Sequence, residues 1–274
     1  MKSESGQFVD LKAVSAGLQG IPGRFDLKAV EVTGSTNDDL LRDAGRCSGG
    51  TVLLLVAQRQ TAGRGSHGRP WRNAGESLLF SMGFLLPSDI GLPLIPLIAG
   101  FSTAKALRSE GIPAMVRWPN DIWLGQGKLG GMLCESVKRS AESVFFVAGI
   151  GINLMAGEEK TPDAPYGRAY AGRSGDSPSE LRTRLLGAIA RQVISNVRAY
   201  VRTGIVPDRS LWPELDILKG REIILDNNAG SILRGRAAGI AESGALLIES
   251  EGEVRPCVSG TVRLPDEWGK GKGK

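Results

Sequence analysis

Apolar positions along this chain fall into two kinds of run. Runs of strand length, bounded by glycine, proline or polar clusters, predict strands over Leu27–Val32, Thr51–Val56, Ser77–Leu86, Asp121–Leu124, Leu129–Val137 and Val144–Leu154. Longer runs predict helices. Pro93–Glu110 is one, stopped by Gly111, and a second starts at Pro178 with Leu181, Leu185, Ile189, Val193, Val197 and Val201 making a single buried stripe. Ser35, Thr36 and Asn37 supply N-cap side chains for a short helix through Leu40, Leu41 and Ala44, with Gly45 as its stop. The intervening "GQGK" ending at Lys128 reads as a hairpin, and residues 156–178, rich in Gly, Pro, Asp and Lys, read as a mobile loop.

Past Trp212-Pro213 the texture changes. Short strands over Arg221–Leu225, Ser231–Ala238, Ala245–Ser250 and Glu253–Pro256 are separated by turns such as Asn227-Asn228 and Glu242-Ser-Gly244, the pattern of a small β-barrel. The expected organisation is α+β: an N-terminal extension (1–25), a large domain (26–215), a β-barrel (216–265) and a disordered basic tail (266–274).

Composition narrows the function classes. The 274 residues are 41% apolar and 23% charged, enough for a sizeable core in a soluble globular protein. No stretch approaches membrane-spanning length, and the N-terminus lacks the apolar segment of a secretory signal. Cys47, Cys134 and Cys257 are far apart and form no C-x-x-C pair, which argues against zinc or dithiol chemistry and for a reducing, cytoplasmic setting. The formal charge of +5 falls to +2 without the tail lysines Lys270, Lys272 and Lys274, so the basic balance is weak support for nucleic-acid binding.

One stretch carries distinctive chemistry, "TAGRGSHGRPW" from Thr61 to Trp71. Gly63, Gly65 and Gly68 spell the glycine spacing of a dinucleotide site, but that site needs a helix to begin within the motif. Here Pro70 holds Arg69 out of helical geometry, and another strand-like run follows. The glycines free backbone N–H groups to face an anion, and the arginines add planar donors for carboxylate and phosphate oxygens. His67, the single histidine, has no partners for a metal site and reads as a loop residue.

Together with "GSTNDDL" (34–40), "RWPNDIW" (117–123), "KLGGMLCE" (128–135) and "GIGIN" (149–153), this loop resembles the biotin protein ligases, with the motifs in family order and spacing. The C-terminal "GREIIL" and "GALLIESEGEVRPCVSGTVRL" are similar to that family's small barrel. The resemblance implies a mixed-sheet catalytic domain of the class II aminoacyl-tRNA synthetase/biotin ligase type and a C-terminal SH3-like β-barrel, in the short form that lacks an N-terminal DNA-binding domain. It implies a two-step reaction: biotin's carboxylate attacks the α-phosphate of ATP to give biotinyl-5′-AMP and pyrophosphate, and a lysine of a biotin carboxyl carrier protein then takes the biotinyl group. ATP and Mg²⁺ would be co-substrates and biotin the substrate, with no permanently bound cofactor. No DNA or membrane partner is implied, and a homodimer formed by strand pairing is open.

The same resemblance assigns residues. Lys128 and Arg64 would be catalytic, the Lys128 ammonium bridging carboxylate and α-phosphate. Biotin would meet Ser35, Thr36, Asn37, Gln58, Gly63, Arg64, Gly65, Ser66, Trp71, Lys128, Gly130 and Gly131. The nucleotide would meet Arg64, Arg69, Trp71, Asn120, Lys128 and Asn153, with Asp121 beside Mg²⁺. Ser66 departs from the pattern, since relatives commonly carry a basic residue there, and the departure predicts a weaker grip on the adenylate. Rival readings are a lipoate–protein ligase with the same acyl-adenylate chemistry, a nucleic-acid-binding regulator, and a binding module without turnover.

Overall fold

The computed structural model describes residues 8–71, 75–157, 166–227 and 231–267. The proposed basic tail beyond Glu267, Asn228 of the expected turn, and the side chain of His67 lie outside that description.

The chain opens with α1 (Leu11–Gly17), β1 (Arg24–Thr33), α2 (Thr36–Arg42), β2 (Thr51–Gln60), β3 (Gly75–Pro87) and α3 (Ile95–Ser109). It continues through β4 (Met115–Arg117), β5 (Asp121–Leu124), β6 (Gly127–Lys138), β7 (Ser143–Ala156), α4 (Pro178–Thr203) and α5 (Trp212–Leu215). The last strands are β8 (Glu222–Asp226), β9 (Ile232–Ile240), β10 (Leu246–Ser250), β11 (Glu253–Cys257) and β12 (Thr261–Arg263). The first seven strands make one sheet in the order β1-β2-β3-β7-β6-β5-β4. Only β1 and β2 run parallel, so the sheet is mixed. The remaining five form an antiparallel sheet, β11-β10-β9-β8-β12, consistent with an SH3-like domain.

Side-chain alternation divides the large sheet into two faces. On β2, Val52, Leu54 and Val56 enter the main core with Val14 of α1, Phe101 of α3 and Leu185 and Ile189 of α4. Leu53 and Leu55 point the other way, into a small cluster with Leu40, Ala44, Phe145 and Val147. The short α2 therefore covers only part of the second face, and the uncovered part holds the cleft described below.

Ser35 caps α2, its hydroxyl accepting from the Asp38 amide, but the helix gives way to a 3₁₀ turn at Asp43 ahead of the expected stop at Gly45. Ser177 caps α4, and Gly204 closes it in the left-handed conformation (φ 68°).

Three segments differ from expectation. The N-terminal segment is not peripheral: Val9, Val14 and Leu18 are in the core, and Arg182 and Arg191 of α4 hold Phe8, Gly17 and Gln19 by their carbonyls. Part of the expected mobile loop is strapped to the hairpin, where the Lys128 amide donates to Gly167 (2.9 Å) and the Ala169 amide to Lys128 (3.0 Å). Glu267, expected within the tail, is buried and forms a two-pronged ion pair with Arg117 (2.8 and 2.5 Å). The three-residue β4 and β12 are too short to leave a periodic signal.

The Arg117–Glu267 pair joins the barrel to the strand leading into the cleft. Arg117 also donates to the Val262 carbonyl (2.9 Å), and the Trp118 indole donates to Gly244 (3.0 Å). Removing one partner would leave a charge buried without compensation.

Asp216, 5% exposed, lies at the same junction, its backbone bridged to Val116. Burial pushes its carboxyl up to about 6, against the opposing effect of the Leu218 and Lys219 amides and the Lys219 charge. The folded state thus holds this proton more tightly than an unfolded chain with a value near 3.8. The associated stability is present below that value and is lost as pH rises through about 6. Asp216→Asn should therefore be more stable than wild type by about 1–3 kcal/mol near neutral pH, with the gain vanishing in acid. Urea unfolding on both sides of that window checks this; a gain independent of pH would contradict it.

Candidate functional site

The second face of β7 changes character along the strand. Phe145 and Val147 fill the cluster under α2, whereas Gly149 and Gly151, next on the same face, present no side chain. Strand register extends the bare patch sideways: Gly151 pairs with Leu79 and Gly131, Gly131 with Asp121, and Gly149 with Ser81 and Leu133. Above this floor lies a cleft that is partly open to solvent.

Neighbouring side chains use the missing Cβ atoms. A Cβ at Gly149 would overlap Asn37 Oδ1, and one at Gly151 would stand 2.6 Å from the Trp71 ring. Asn37 rests over one glycine and Trp71 over the other. The buried Trp71 indole N–H has no acceptor among the described residues.

One end of the cleft is a hydrogen-bonded polar group set. Gln60 Oε1 accepts from the Thr36 amide (2.7 Å) and the Thr36 hydroxyl (3.1 Å). The fully buried Ser81 hydroxyl lies 2.6 Å from Asn37 Oδ1 and 2.7 Å from Thr36 Oγ1. Asn37 Nδ2 donates to the Leu133 carbonyl (3.0 Å) and to Glu135 (2.7 Å). With both amide protons engaged, the orientation of Asn37 is determined by its neighbours.

The other end is ionic. Lys128 Nζ lies 2.6 Å from Asp121 Oδ1, two half-buried groups on adjoining strands of the hairpin. Back beside the polar end, Arg64 reaches from the glycine-rich loop to Asp38 and to Glu135 (3.1 Å), the same carboxylate that Asn37 bonds. The loop folds back on itself: the Gly65 amide donates to Arg69 (2.7 Å) and the Trp71 amide to Gly63 (2.8 Å), around a three-residue 3₁₀ turn at Ser66–Gly68. No helix of dinucleotide-site length starts here, so the glycine spacing serves a hairpin-like flap.

Of the residues proposed from the sequence, Ser35, Thr36, Asn37, Arg64, Gly65, Ser66, Trp71, Asn120, Asp121, Lys128 and Gly131 line the cleft. Five expected residues do not. Gln58 is exposed, and Gln60 takes its place because β2 runs four residues past Val56 and ends at the flap. Arg69 is exposed and its Nε donates to the Ser66 carbonyl (3.3 Å) within the flap. Gly63 is buried beneath Gln60 and Trp71. Gly130 faces the opposite way from Gly131, where a Cβ would strike the Gly151 backbone, so it serves strand packing. Asn153 donates to the carbonyls of Lys128 (3.2 Å) and Ala169 (3.3 Å), bracing the hairpin against the strap. Asp121 is committed to Lys128, and among the described residues no three His, Cys, Asp or Glu side chains converge to hold a metal. Besides Gln60, sequence reasoning missed the polar residues Ser81, Glu135 and Asp38; the first two only become visible once the strand register is known.

The cleft thus joins a polar end flanked by the ion pairs of Arg64 with Asp38 and Glu135, a bare floor walled by an indole, and an end that carries the Lys128 ammonium. It suits an elongated ligand with a polar head and an anionic terminus.

Comparison with known proteins accords with this geometry. The profile of the Biotin/lipoate A/B protein ligase family matches residues 30–153, and that of the Biotin protein ligase C terminal domain matches residues 220–264. The biotin–[acetyl-CoA-carboxylase] ligase of Paracoccus denitrificans is 30% identical over 79% of this chain and 91% of its own length. The bifunctional ligase/repressor BirA of Escherichia coli is 29% identical over 89% of this chain and 76% of its own. Among solved structures, the biotin protein ligase of Aquifex aeolicus in complex with biotin and ATP superposes with a TM-score of 0.67, at 26% identity, covering 87% of this chain and 99% of that one.

The floor yields a stability test. Gly149→Ala forces Asn37 from its seat and breaks its bonds to Ser81, Leu133 and Glu135, at an expected cost of about 1–3 kcal/mol. Gly167→Ala, with open space around it, is the matched control. Equal denaturation midpoints for the two variants would contradict the role given to Gly149.

Proposed function

This chain belongs to the biotin protein ligase family, and on that premise we propose how its cleft divides the labour of an ATP-dependent biotin ligation. The enzyme activates biotin as biotinyl-5′-AMP and transfers the biotinyl group to a protein lysine. In the first step a carboxylate oxygen of biotin bonds to the α-phosphorus of ATP, and the α–β phosphoanhydride bond breaks to release pyrophosphate. In the second, the neutral amine of the acceptor lysine attacks the acyl carbon, AMP leaves, and the amine loses a proton.

The observation that carries the assignment is the polarity gradient across the glycine floor. The head of biotin needs hydrogen-bond donors and acceptors, which Ser35, Thr36, Asn37 and Gln60 provide. Its bicyclic body and apolar chain lie over Gly149 and Gly151 against Trp71. Its carboxylate then falls at the end where Lys128 offsets the repulsion between two anionic reactants and stabilises charge developing at the phosphorus. Asn120 and the Gly65–Ser66 backbone stand beside the nucleotide's position.

Mg²⁺ arrives on the triphosphate in this reading. Asp121 serves chiefly to hold Lys128 extended toward the reacting atoms. The acceptor is a biotin carboxyl carrier domain, a reading supported by the name of the Paracoccus relative. The flap that closes over the cleft keeps water from the mixed anhydride, and Ser66, where relatives place a basic side chain, loosens that hold.

Single-turnover adenylate formation with radiolabelled ATP tests the assignment. Lys128→Ala should slow it by about 100-fold or more. Gln60→Ala should raise the biotin requirement about ten-fold, the size expected for leaving buried polar groups unpaired, while Gln58→Ala should behave as wild type. Unimpaired turnover by Lys128→Ala would overturn the catalytic assignment, and a biotin defect in Gln58→Ala rather than Gln60→Ala would overturn the polar-end assignment.

A further inference from the structure

Ser81 lies in the middle of β3, fully buried, and stands outside the cleft lining behind two residues that form it, Thr36 and Asn37. Its hydroxyl meets Asn37 Oδ1 at 2.6 Å and Thr36 Oγ1 at 2.7 Å. Thr36 Oγ1 also lies 3.1 Å from Gln60 Oε1. Three oxygen–oxygen contacts therefore share two hydroxyl protons.

The fixed groups around the set decide where those protons lie. Asn37 Nδ2 commits its two protons to the Leu133 carbonyl (3.0 Å) and to Glu135 (2.7 Å), so Asn37 Oδ1 can only accept. Its 2.6 Å contact with Ser81 then requires the Ser81 proton. With that proton committed, the 2.7 Å contact between Ser81 and Thr36 is attractive only if Thr36 donates. Gln60 Oε1 already accepts from the Thr36 amide (2.7 Å), and over its longer contact it receives only the minor arm of the Thr36 hydroxyl proton. The opposite order, with Ser81 donating to Thr36, would set two acceptor oxygens 2.6 Å apart in a buried site.

We propose that Ser81 is a positioning residue that sets specificity: it draws the Thr36 proton away from the cleft, so that Thr36 offers the ligand head an acceptor and the group opposite must be a donor. This rests on placing the ligand's polar head beside Thr36, as above. A ureido N–H meets that requirement. A ring oxygen in its place does not, because turning the Thr36 hydroxyl toward it would leave the Thr36 and Ser81 oxygens facing each other without a proton. Ser81 touches no reactant and acts through Thr36.

Calorimetric titration of biotin, and of the two cyclic carbamates in which one or the other ureido N–H is replaced by ring oxygen, tests the proposal. Wild type should bind one of the carbamates about 100-fold more weakly than biotin, as expected when a paired donor gives way to an opposed acceptor. In Ser81→Ala the Thr36 hydroxyl can turn to that oxygen at the cost of the long Gln60 contact alone, and the ratio should fall about ten-fold. Ser102→Ala, which removes a buried hydroxyl that pairs with Asn196 between α3 and α4, should keep the wild-type ratio. A merely structural role for Ser81 would weaken all three ligands alike, so an unchanged ratio in Ser81→Ala would overturn the proposal, as would a wild type that does not discriminate. Neutron diffraction from perdeuterated wild-type crystals reads the protons directly, whether or not the variant folds. Deuterium should lie on Thr36 toward Ser81 and on Ser81 toward Asn37; a Ser81 deuterium directed at Thr36 would overturn the proposal. Failure of wild type to bind biotin at all is a separate result that would sink the proposed function, and the neutron map then judges Ser81.

Discussion

The site depends on the absence of side chains along one face of β7. Strand alternation commits every second residue to that face, and at 149 and 151 the chain places glycine where 145 and 147 carry Phe and Val. The bulky pair anchors α2, and the bare pair lets Asn37 and Trp71 descend onto the sheet. The same hydrogen-bonded strand thus supplies both a packed support and a cleft. The floor is backbone in the middle of a sheet, so it is rigid, and the groups around it inherit that rigidity.

Rigidity at the cationic end comes from a longer chain of contacts. Lys128 is paired with Asp121, its carbonyl is held by Asn153, and its amide is tied to the strap at Gly167. Asp121 stands opposite Arg117 in the β4–β5 register, and Arg117 is locked to Glu267 beyond the barrel's last strand. The barrel is therefore mechanically continuous with the hairpin that carries Lys128. By contrast, the flap is tied down by partly exposed ion pairs of Arg64 with Asp38 and Glu135, which are individually weak.

Much of this was legible in the chain. The long α4 announced itself through its four-residue stripe, and the strands of the large sheet through their apolar runs. Many cleft residues clustered in motifs because they sit at strand ends, at a helix cap or in the flap, where local chemistry is constrained. What escaped depended on register and distance. Gln60 was missed in favour of Gln58 because the polar "AQRQ" end of β2 carries no apolar alternation, although the backbone pairs with β1 through Gln60. Asn153 looked like a ligand group, but the carbonyls it serves come from segments 25 and 16 residues away. Ser81 is a plain serine in an apolar run, and only the pairing of β3 with Gly149 places it under Asn37. Glu267 resembled the start of a charged tail because nothing local reveals a buried arginine 150 residues earlier.

The most direct measurement of the central claim is exchange of radiolabelled pyrophosphate into ATP by the wild-type protein, run with biotin and, separately, with lipoate. Adenylate formation is reversible, so exchange reports the first step without any knowledge of the acceptor protein. The cleft described here predicts exchange that depends on biotin and is not supported by lipoate, whose dithiolane offers nothing to the hydrogen-bonding set at Thr36, Asn37 and Gln60. Exchange driven by lipoate, or none with either acid, would contradict the account.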